Sequence, residues 1–238
     1  MHCIVYDDKQ QIADVITEKL ITLSYAKKPI VHIALSGGST PKDFFKHLKQ
    51  ADALFDINWS KFHFWWVDER CVSIEDEQSN FGEAKRILFD HIGIDSDQLH
   101  PMDGASQAEQ SALSYVQIIK KHLPIKNQIP CFDLILLGIG DDGHTASLFP
   151  NGVSLSSNKW VEVAEHPQTN QLRLTLTLQV LNNADEVAFV VTGENKAKMV
   201  KKIIQGDKTP IDYPAKFVKP LAGKLTWHLD REAAAEIR

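Results

Sequence analysis

The chain has 238 residues, and its 26 Lys and Arg against 31 Asp and Glu give a formal net charge of −5 at pH 7. It is 43% hydrophobic and 24% charged, which is ordinary for a soluble globular protein. No basic run or basic–aromatic stripe points to a nucleic-acid partner. No apolar run approaches the length of a membrane span, and the N-terminus MHCIVYDDKQ lacks the pattern of a signal peptide. We therefore expect a cytoplasmic protein without nucleic-acid or membrane partners, present as a monomer or a weak homodimer.

Hydrophobic periodicity predicts strands and helices that alternate along the chain. The predicted elements are a strand at 3–6, a helix within 7–28, a strand and turn within 29–40, a helix at 41–54 with Pro41 in its first turn, a strand at 61–69, helices at 79–92 and 106–123, strands at 132–138, 159–166, 172–179 and 186–193, a helix at 195–206, and a closing strand and helix within 224–237. This order predicts a single Rossmann-like α/β domain over residues 1–238, with a largely parallel sheet and helices on both faces.

Cysteine and histidine usage predicts no metal site. The three cysteines, Cys3, Cys71 and Cys131, are odd in number, widely spaced and set among apolar neighbours. Such cysteines are expected to be reduced packing residues of a cytosolic protein. A zinc site normally needs three protein ligands, and the sequence has no H-x-x-x-H pair and no Cys/His cluster. We therefore expect neither a metal nor another cofactor.

Four loops that follow predicted strands carry unusual side chains. They are SGGSTP at 36–41, DER at 68–70, GIGDDGHT at 138–145 and TGENK at 192–196. Ligands of parallel sheets bind beyond the carboxyl ends of the strands, so these loops together form the candidate site.

The loop at 138–145 contains the spacing of a dinucleotide-binding turn, G-x-G-x-x-G, after a buried strand. That turn works by directing the N–H groups of a following helix at a pyrophosphate. Here two carboxylates occupy the loop, and Pro150 and Gly152 follow too soon for an amphipathic helix. The pattern instead favours close approach of a ligand to glycine backbone, beside Asp142 and His144.

Asp142 and His144 flank a single glycine, so a tight turn brings a carboxylate and an imidazole together. A carboxylate fixes the tautomer of a neighbouring imidazole, as a general base requires. Two other interpretations stay open from these residues alone: His144 caps the following turn, or Asp142 and His144 are metal ligands.

The other loops carry groups suited to an anion. The glycine-rich segment consists of Gly37, Gly38, Ser39 and Thr40. Before a helix it offers N–H groups and hydroxyls to a phosphate, although an N-capping turn has the same pattern. Lys196 opposes a helix dipole and needs an anionic partner, unless it is simply solvated. Asp68 and Arg70 share one face of an extended chain and either point into the site or form a surface pair.

Taken together, these loops resemble the 6-phosphogluconolactonase family. The matching segments are LSGGSTP, WVDER with SNFGEAK, LLGIGDDGHTASLFP, LRLTLTLQVLNNADEVAFVVTGENKA and TWHLDREAA, in order from about Ser36 to Ala234. GDDGHTASLFP is the most specific of them. The chain departs from the family pattern at Phe81, where tyrosine is usual, and at Ser73, where proline is frequent.

The resemblance implies hydrolysis of 6-phospho-D-glucono-1,5-lactone to 6-phospho-D-gluconate in the oxidative pentose phosphate pathway, without a cofactor. It implies that His144 is the base that activates water and that Asp142 orients it. Arg70 would stabilise the oxyanion or contact the phosphate, and Asp68 would hold sugar hydroxyls or Arg70. The residues that it assigns to the phosphate are Gly37, Gly38, Ser39, Thr40, Arg173 and Lys196.

Two alternatives to a lactonase remain. The related glucosamine-6-phosphate deaminases have a tyrosine where this chain has Arg70, and a glutamate within DGHIAFNEP where this chain has Leu-Phe-Pro at 148–150. A non-enzymatic sugar-phosphate sensor is the second alternative. Against it, the chain leaves no room for a helix-turn-helix domain and retains both Asp142 and His144.

Overall fold

The computed structural model describes residues 2–52, 57–206 and 213–237. The last two residues of the helix predicted at 41–54 lie outside these ranges. The strands of the described ranges are β1 (His2–Tyr6), β2 (Val31–Leu35), β3 (Phe62–Trp66), β4 (Asp68–Arg70), β5 (Leu99–His100), β6 (Ile125–Lys126), β7 (Ile129–Pro130), β8 (Leu134–Leu137), β9 (Val161–Glu165), β10 (Leu172–Leu176), β11 (Glu186–Val191) and β12 (Lys224–Asp230). The α-helices are α1 (Lys9–Ser24), α2 (Ser39–Asp52), α3 (Asn80–Ile87), α4 (Ala108–His122), α5 (Leu178–Leu181) and α6 (Ala197–Gln205).

Seven of these strands form one sheet in the order β1-β12-β11-β8-β2-β3-β5, and every pairing in it is parallel. This confirms the predicted α/β fold with a largely parallel sheet. β2 and β8 are buried along their whole length, as their apolar sequences require. The chain runs from β2 outward to β3 and β5, and then returns to β8 on the other side of β2. The strand order therefore reverses between β2 and β8, and such switch points are where α/β sheets bind ligands.

Helices cover both faces of this sheet, as predicted. On one face, residues of α1, α2 and α3 form a buried cluster with Ile33, Phe64 and Leu136. On the other face, residues of α4, α5 and α6 pack with Trp65 and Phe189, whose side chains alternate with those of the first cluster along the strands. Within the described ranges, no helix combines the length and the apolar character needed to cross a bilayer.

A second, antiparallel sheet has the order β4-β10-β9, and the sequence did not predict it as separate. The strand predicted at 61–69 divides at Val67. The Val67 N–H donates to the Leu35 carbonyl of the main sheet (2.9 Å), and the Val67 carbonyl accepts from the Leu176 N–H of the second sheet (2.7 Å). The chain therefore passes from one sheet to the other at Val67, and residues 68–70, predicted as the end of the strand and the start of a loop, form a strand of the second sheet.

The prediction of a helix after β12 is wrong, because residues 231–236 form turns. The Asp230 carboxylate accepts the Ala233 N–H (2.7 Å) and also the Gly193 N–H (3.0 and 3.1 Å), which ties the chain to the loop after β11. Two later backbone hydrogen bonds in this segment span three residues, as in turns, rather than the four of an α-helix.

Candidate active site

Adjacent strands of the main sheet bring the predicted loops together. β11, β8 and β2 are neighbours, so the loops at 192–196, 138–145 and 36–41 meet at one edge of the sheet. β4 and β10 of the second sheet contribute the other side of the same cleft. The predicted site residues that line it are Gly37, Gly38, Ser39, Thr40, Asp68, Arg70, His144, Arg173 and Lys196. Asp142 joins them through a hydrogen bond to His144.

The glycines of the loop at 138–145 allow a tight turn around His144. The Gly140 N–H donates to the His144 carbonyl (2.8 Å), and the Gly143 N–H donates to the Gly140 carbonyl (3.1 Å). Gly143 has a φ of 83°, which favours glycine. A Cβ on Gly140 would lie 2.1 Å from the His144 ring. Turns rather than a helix follow the loop, so the geometry of a dinucleotide-binding turn is not formed.

The pair of Asp142 and His144 has the geometry of an oriented base. Asp142 Oδ1 lies 2.6 Å from His144 Nδ1 and also accepts the His144 backbone N–H (3.0 Å). Burial alone would raise the pKa of Asp142, but the hydrogen bonds and charge of His144 outweigh it and lower the pKa. An ionised carboxylate only accepts hydrogen bonds, so the proton of a neutral His144 resides on Nδ1 and Nε2 keeps its lone pair.

Helix α2 begins at Ser39, so Ser39 and Thr40 belong to its first turn rather than to a preceding loop. Gly38, with a φ of 106°, accepts the Lys42 N–H through its carbonyl (3.1 Å) and opens the helix. A Cβ on Gly37 would lie 1.8 Å from Asn80 Oδ1, so only glycine fits there. The first-turn N–H groups have no partner within the helix and carry the positive end of its dipole.

Lys196 reaches the cleft from the residue that precedes α6. Its ammonium group forms an ion pair with Asp141, whose side chain is 78% exposed, whereas that of Lys196 is 22% exposed. Nearby, Thr40 Oγ1 and Thr192 Oγ1 lie 3.1 Å apart and connect α2 to the loop after β11. A cation at this position has an exposed counter-ion that an incoming anion can replace.

Arg70 and Arg173 lie opposite each other in the pairing of β4 with β10. The Nε atom of each guanidinium is buried and has no hydrogen-bond partner. Burial, and then the charge of Arg70, lower the pKa of Arg173. Buried N–H donors are normally satisfied, so two unsatisfied donors on adjacent cations indicate an anionic ligand at this wall. This pairing could not be predicted from the sequence, because the two arginines come from distant segments.

Asp68 is 5% exposed, and its carboxylate accepts the Ser147 hydroxyl (2.7 Å) and a longer bond from Asn80 Nδ2 (3.4 Å). In the described part of the chain these are the hydrogen bonds of the carboxylate, and an ion pair with Arg70 is not among them. Asn80 and Ser147 are residues that the sequence analysis missed. Ser79 and Asn80 have the pattern of a helix N-cap, and Ser79 does cap α3, so only the tertiary contact reveals Asn80.

A buried aromatic ring, that of Phe149, packs against two of the side chains that line the cleft. The Phe149 ring lies with its centroid 5.0 Å from that of His144, and the guanidinium carbon of Arg173 lies 5.8 Å from the Phe149 centroid. Phe149 thus packs beside both the imidazole and the cation. At this place the chain offers an apolar ring and not a second carboxylate to His144.

Comparisons with known proteins agree with one another. The model of the family described as "Glucosamine-6-phosphate isomerases/6-phosphogluconolactonase" matches residues 7–227. A 6-phosphogluconolactonase of Haemophilus influenzae is 36% identical over 233 residues, which cover 98% of this chain and 98% of that protein. The solved structure of a devB protein has a TM-score of 0.95 at 37% identity and covers 100% of this chain and 99% of that chain. The structure of a 6-phosphogluconolactonase from Leishmania guyanensis has a TM-score of 0.84 at 27% identity, with 100% of this chain and 98% of that chain covered.

Proposed function

The chain belongs to the family of glucosamine-6-phosphate isomerases and 6-phosphogluconolactonases, and from this we propose that it hydrolyses 6-phospho-D-glucono-1,5-lactone to 6-phospho-D-gluconate in the oxidative pentose phosphate pathway. The observation that carries the proposal is the Asp142–His144 pair beside a cleft with two buried, unsatisfied guanidinium donors. We place the reaction in the cytoplasm, where cysteines such as Cys3, Cys71 and Cys131 stay free.

The phosphate of the substrate provides binding energy far from the reacting bond. In the proposal it lies against the segment Gly37, Gly38, Ser39 and Thr40 and displaces Asp141 from Lys196. Arg173 contributes a guanidinium from the opposite wall. Because these groups do not take part in bond making, their contacts place the lactone carbonyl beside His144.

Hydrolysis then needs a base, an oxyanion partner and a proton for the leaving oxygen. His144 Nε2 accepts a proton from water as the water oxygen bonds to the lactone carbonyl carbon, and Asp142 stabilises the resulting imidazolium. The negative charge on the carbonyl oxygen is stabilised by Arg70. When the ring C–O bond breaks, the imidazolium returns its proton to the departing ring oxygen. One water is consumed, and no covalent intermediate is required.

The Phe149 contact distinguishes this reaction from that of the deaminases. The deaminase pattern has a glutamate in the segment where this chain has Phe149, and that glutamate works with the histidine in ring opening. Here the His144 ring packs on an aromatic side chain instead. Among the described residues, Asp142 is therefore the carboxylate paired with the proposed base, which suits attack by water on an activated ester.

The direct test is acid release from freshly generated 6-phosphogluconolactone, corrected for the spontaneous rate. We expect enzyme-dependent acid release and no ammonia from glucosamine 6-phosphate. Ammonia release without lactone hydrolysis would assign the chain to the deaminases. Tight binding of 6-phosphogluconate with neither reaction would assign it to sugar-phosphate sensors.

A further inference from the structure

A cluster of histidines lies away from the lactone cleft. His63 is in β3, His100 ends β5, and His122 is the last residue of α4. One ring nitrogen from each of the three can be chosen so that all three lie within 4.8 Å of one another. Asp68 follows His63 by five residues along an extended chain, about 16 Å at about 3.3 Å per residue. We call His63, His100 and His122 the His63 cluster; it lies at the β3–β5 edge of the main sheet, whereas the cleft lies beyond the carboxyl ends of β2, β8 and β11.

The cluster is held in place by aromatic packing. His63 Nδ1 lies 2.8 Å from His100 Nε2. The Trp65 ring stacks on His100 with centroids 4.0 Å apart, and the Tyr115 hydroxyl donates to the His100 carbonyl (3.1 Å). His100 is 6% exposed, while His63 and His122 are half-buried. One imidazole is therefore fixed in the interior, and the other two lie between it and solvent.

The three imidazoles would bind a metal through unprotonated ring nitrogens. A neutral imidazole carries one nitrogen lone pair, which is the form that binds transition metals. At the contact between His63 and His100 one facing nitrogen donates its proton to the other, so zinc binding requires that this proton move to the other nitrogen of its own ring.

We propose that His63, His100 and His122 bind one zinc ion through three imidazole nitrogens, with water as the fourth ligand. Zinc–nitrogen distances of about 2.0–2.1 Å in a tetrahedral site place the nitrogens about 3.3 Å apart. The present 2.8 Å contact and the 4.8 Å limit bracket that spacing. His122 closes the difference by a side-chain rotation, since it is half-buried and ends its helix.

Two features of the fold favour a cation here. The carbonyl end of a helix dipole attracts positive charge, and His122 is at that end of α4. The ammonium group of Lys120, in the same helical turn, lies over the Trp160 ring, 5.6 Å from the centroid, and so has a partner of its own.

Zinc would also connect α4 to β3 and to β5, which is an edge strand of two residues. The proposed role is stabilisation of this edge, without a part in lactone hydrolysis.

The test is zinc titration of chelator-treated, dialysed protein, followed by calorimetry and by thermal unfolding. We expect one zinc per chain and a rise in melting temperature of about 5–10 °C at zinc near 100 times Kd. His122→Gln should lower zinc affinity by more than about 10-fold, because losing even an outer partner of a metal ligand costs about 10–100-fold. Lactonase activity should be the same with and without zinc.

Two matched substitutions separate the cluster from other histidine sites. His47→Gln, on α2, and His144→Gln, in the cleft, should bind zinc as the wild type does. Absence of zinc binding by the wild type, an unchanged affinity in His122→Gln, or a loss in His144→Gln would each overturn the proposal. If His122→Gln without zinc does not give the wild-type circular dichroism spectrum, His63→Gln replaces it, and the same outcomes apply.

Discussion

His144, in the loop after β8, and His100, in the edge strand β5, have opposite surroundings. His144 shares its Nδ1 proton with a partly exposed carboxylate, whereas His100 is stacked on Trp65 and surrounded by other imidazoles. The first arrangement holds the imidazole in one orientation by a hydrogen bond to a carboxylate. The second opposes protonation and keeps a lone pair free. The residue type alone therefore does not determine the chemistry; the neighbouring groups do.

The largest expected effect is that of removing His144, the proposed base. His144→Ala should lower kcat by about 10²–10⁴-fold. The product 6-phosphogluconate should still bind, because the residues proposed to bind its phosphate are unchanged. Turnover, product affinity and thermal stability should be measured on one preparation, with His47→Ala as the control histidine. A variant that loses about 0.5–2 kcal/mol of stability yet keeps the wild-type kcat would mean that His144 only caps the turn.

Loss of a phosphate contact is expected to have the next largest effect. Each charge-assisted contact contributes on the order of 1.5–3 kcal/mol, so Lys196→Ala should raise KM by about 10–100-fold with a small change in kcat. Lys198→Ala, on an exposed position of the same helix, is the matched control. Unphosphorylated gluconolactone should be a poor substrate of the wild type. Equal kcat/KM for gluconolactone and 6-phosphogluconolactone would mean that these residues do not bind the phosphate.

Acid should weaken the fold through histidines that are buried in the neutral form. Burial lowers the pKa of His228 to about 4, and its Nδ1 lies 2.8 Å from the Tyr6 hydroxyl. An unfolded histidine has a pKa of about 6.5, so between about pH 6.5 and 4 the unfolded chain binds more protons and stability falls as pH falls. The melting temperature should drop by a few degrees across this range, and His228→Gln should flatten the dependence. An equally steep curve in the variant would exclude His228 as a cause.

The smallest expected effect is that of chelation on activity, which should be none. Hydrolysis of an activated ester by the proposed base His144 requires no Lewis acid. The proposed zinc site lies at the β3–β5 edge of the sheet, away from the cleft. The measurement is the initial rate after exhaustive chelation and dialysis. Activity that is lost on chelation and restored by one divalent ion, in the wild type and in His122→Gln alike, would instead make Asp142 and His144 metal ligands.

The sequence predicted the main sheet because burial on both faces leaves a strong local pattern. β2 and β8 are apolar throughout, and the loops that follow them contain the glycines of the turn. Proximity of Asp142 to His144 was also predictable, since one glycine separates them. These features depend on neighbours in the sequence, and local pattern reports such neighbours well.

Features that depend on distant segments were not predictable from the sequence. Nothing in the order of residues places Arg70 opposite Arg173, or Asn80 against Gly37. The histidines of the His63 cluster come from three elements, so the search for closely spaced metal ligands did not find them. The segment after β12 forms turns instead of the expected helix, and its Asp230 carboxylate also accepts the N–H of Gly193 from a distant loop, a contact that the local pattern does not report.

The double hydrogen bonding of Val67 bears on how this site tolerates sequence change. The peptide groups of one residue hold the strand carrying Asp68 and Arg70 in register with the core sheet, and neither bond involves a side chain. Most substitutions at Val67 would leave that registration intact, although a proline would remove the donor. Main-chain hydrogen bonds thus set the position of the second sheet relative to the main sheet at the cleft. Substitutions of the residues that pack around Val67 are therefore expected to leave Asp68 and Arg70 in place.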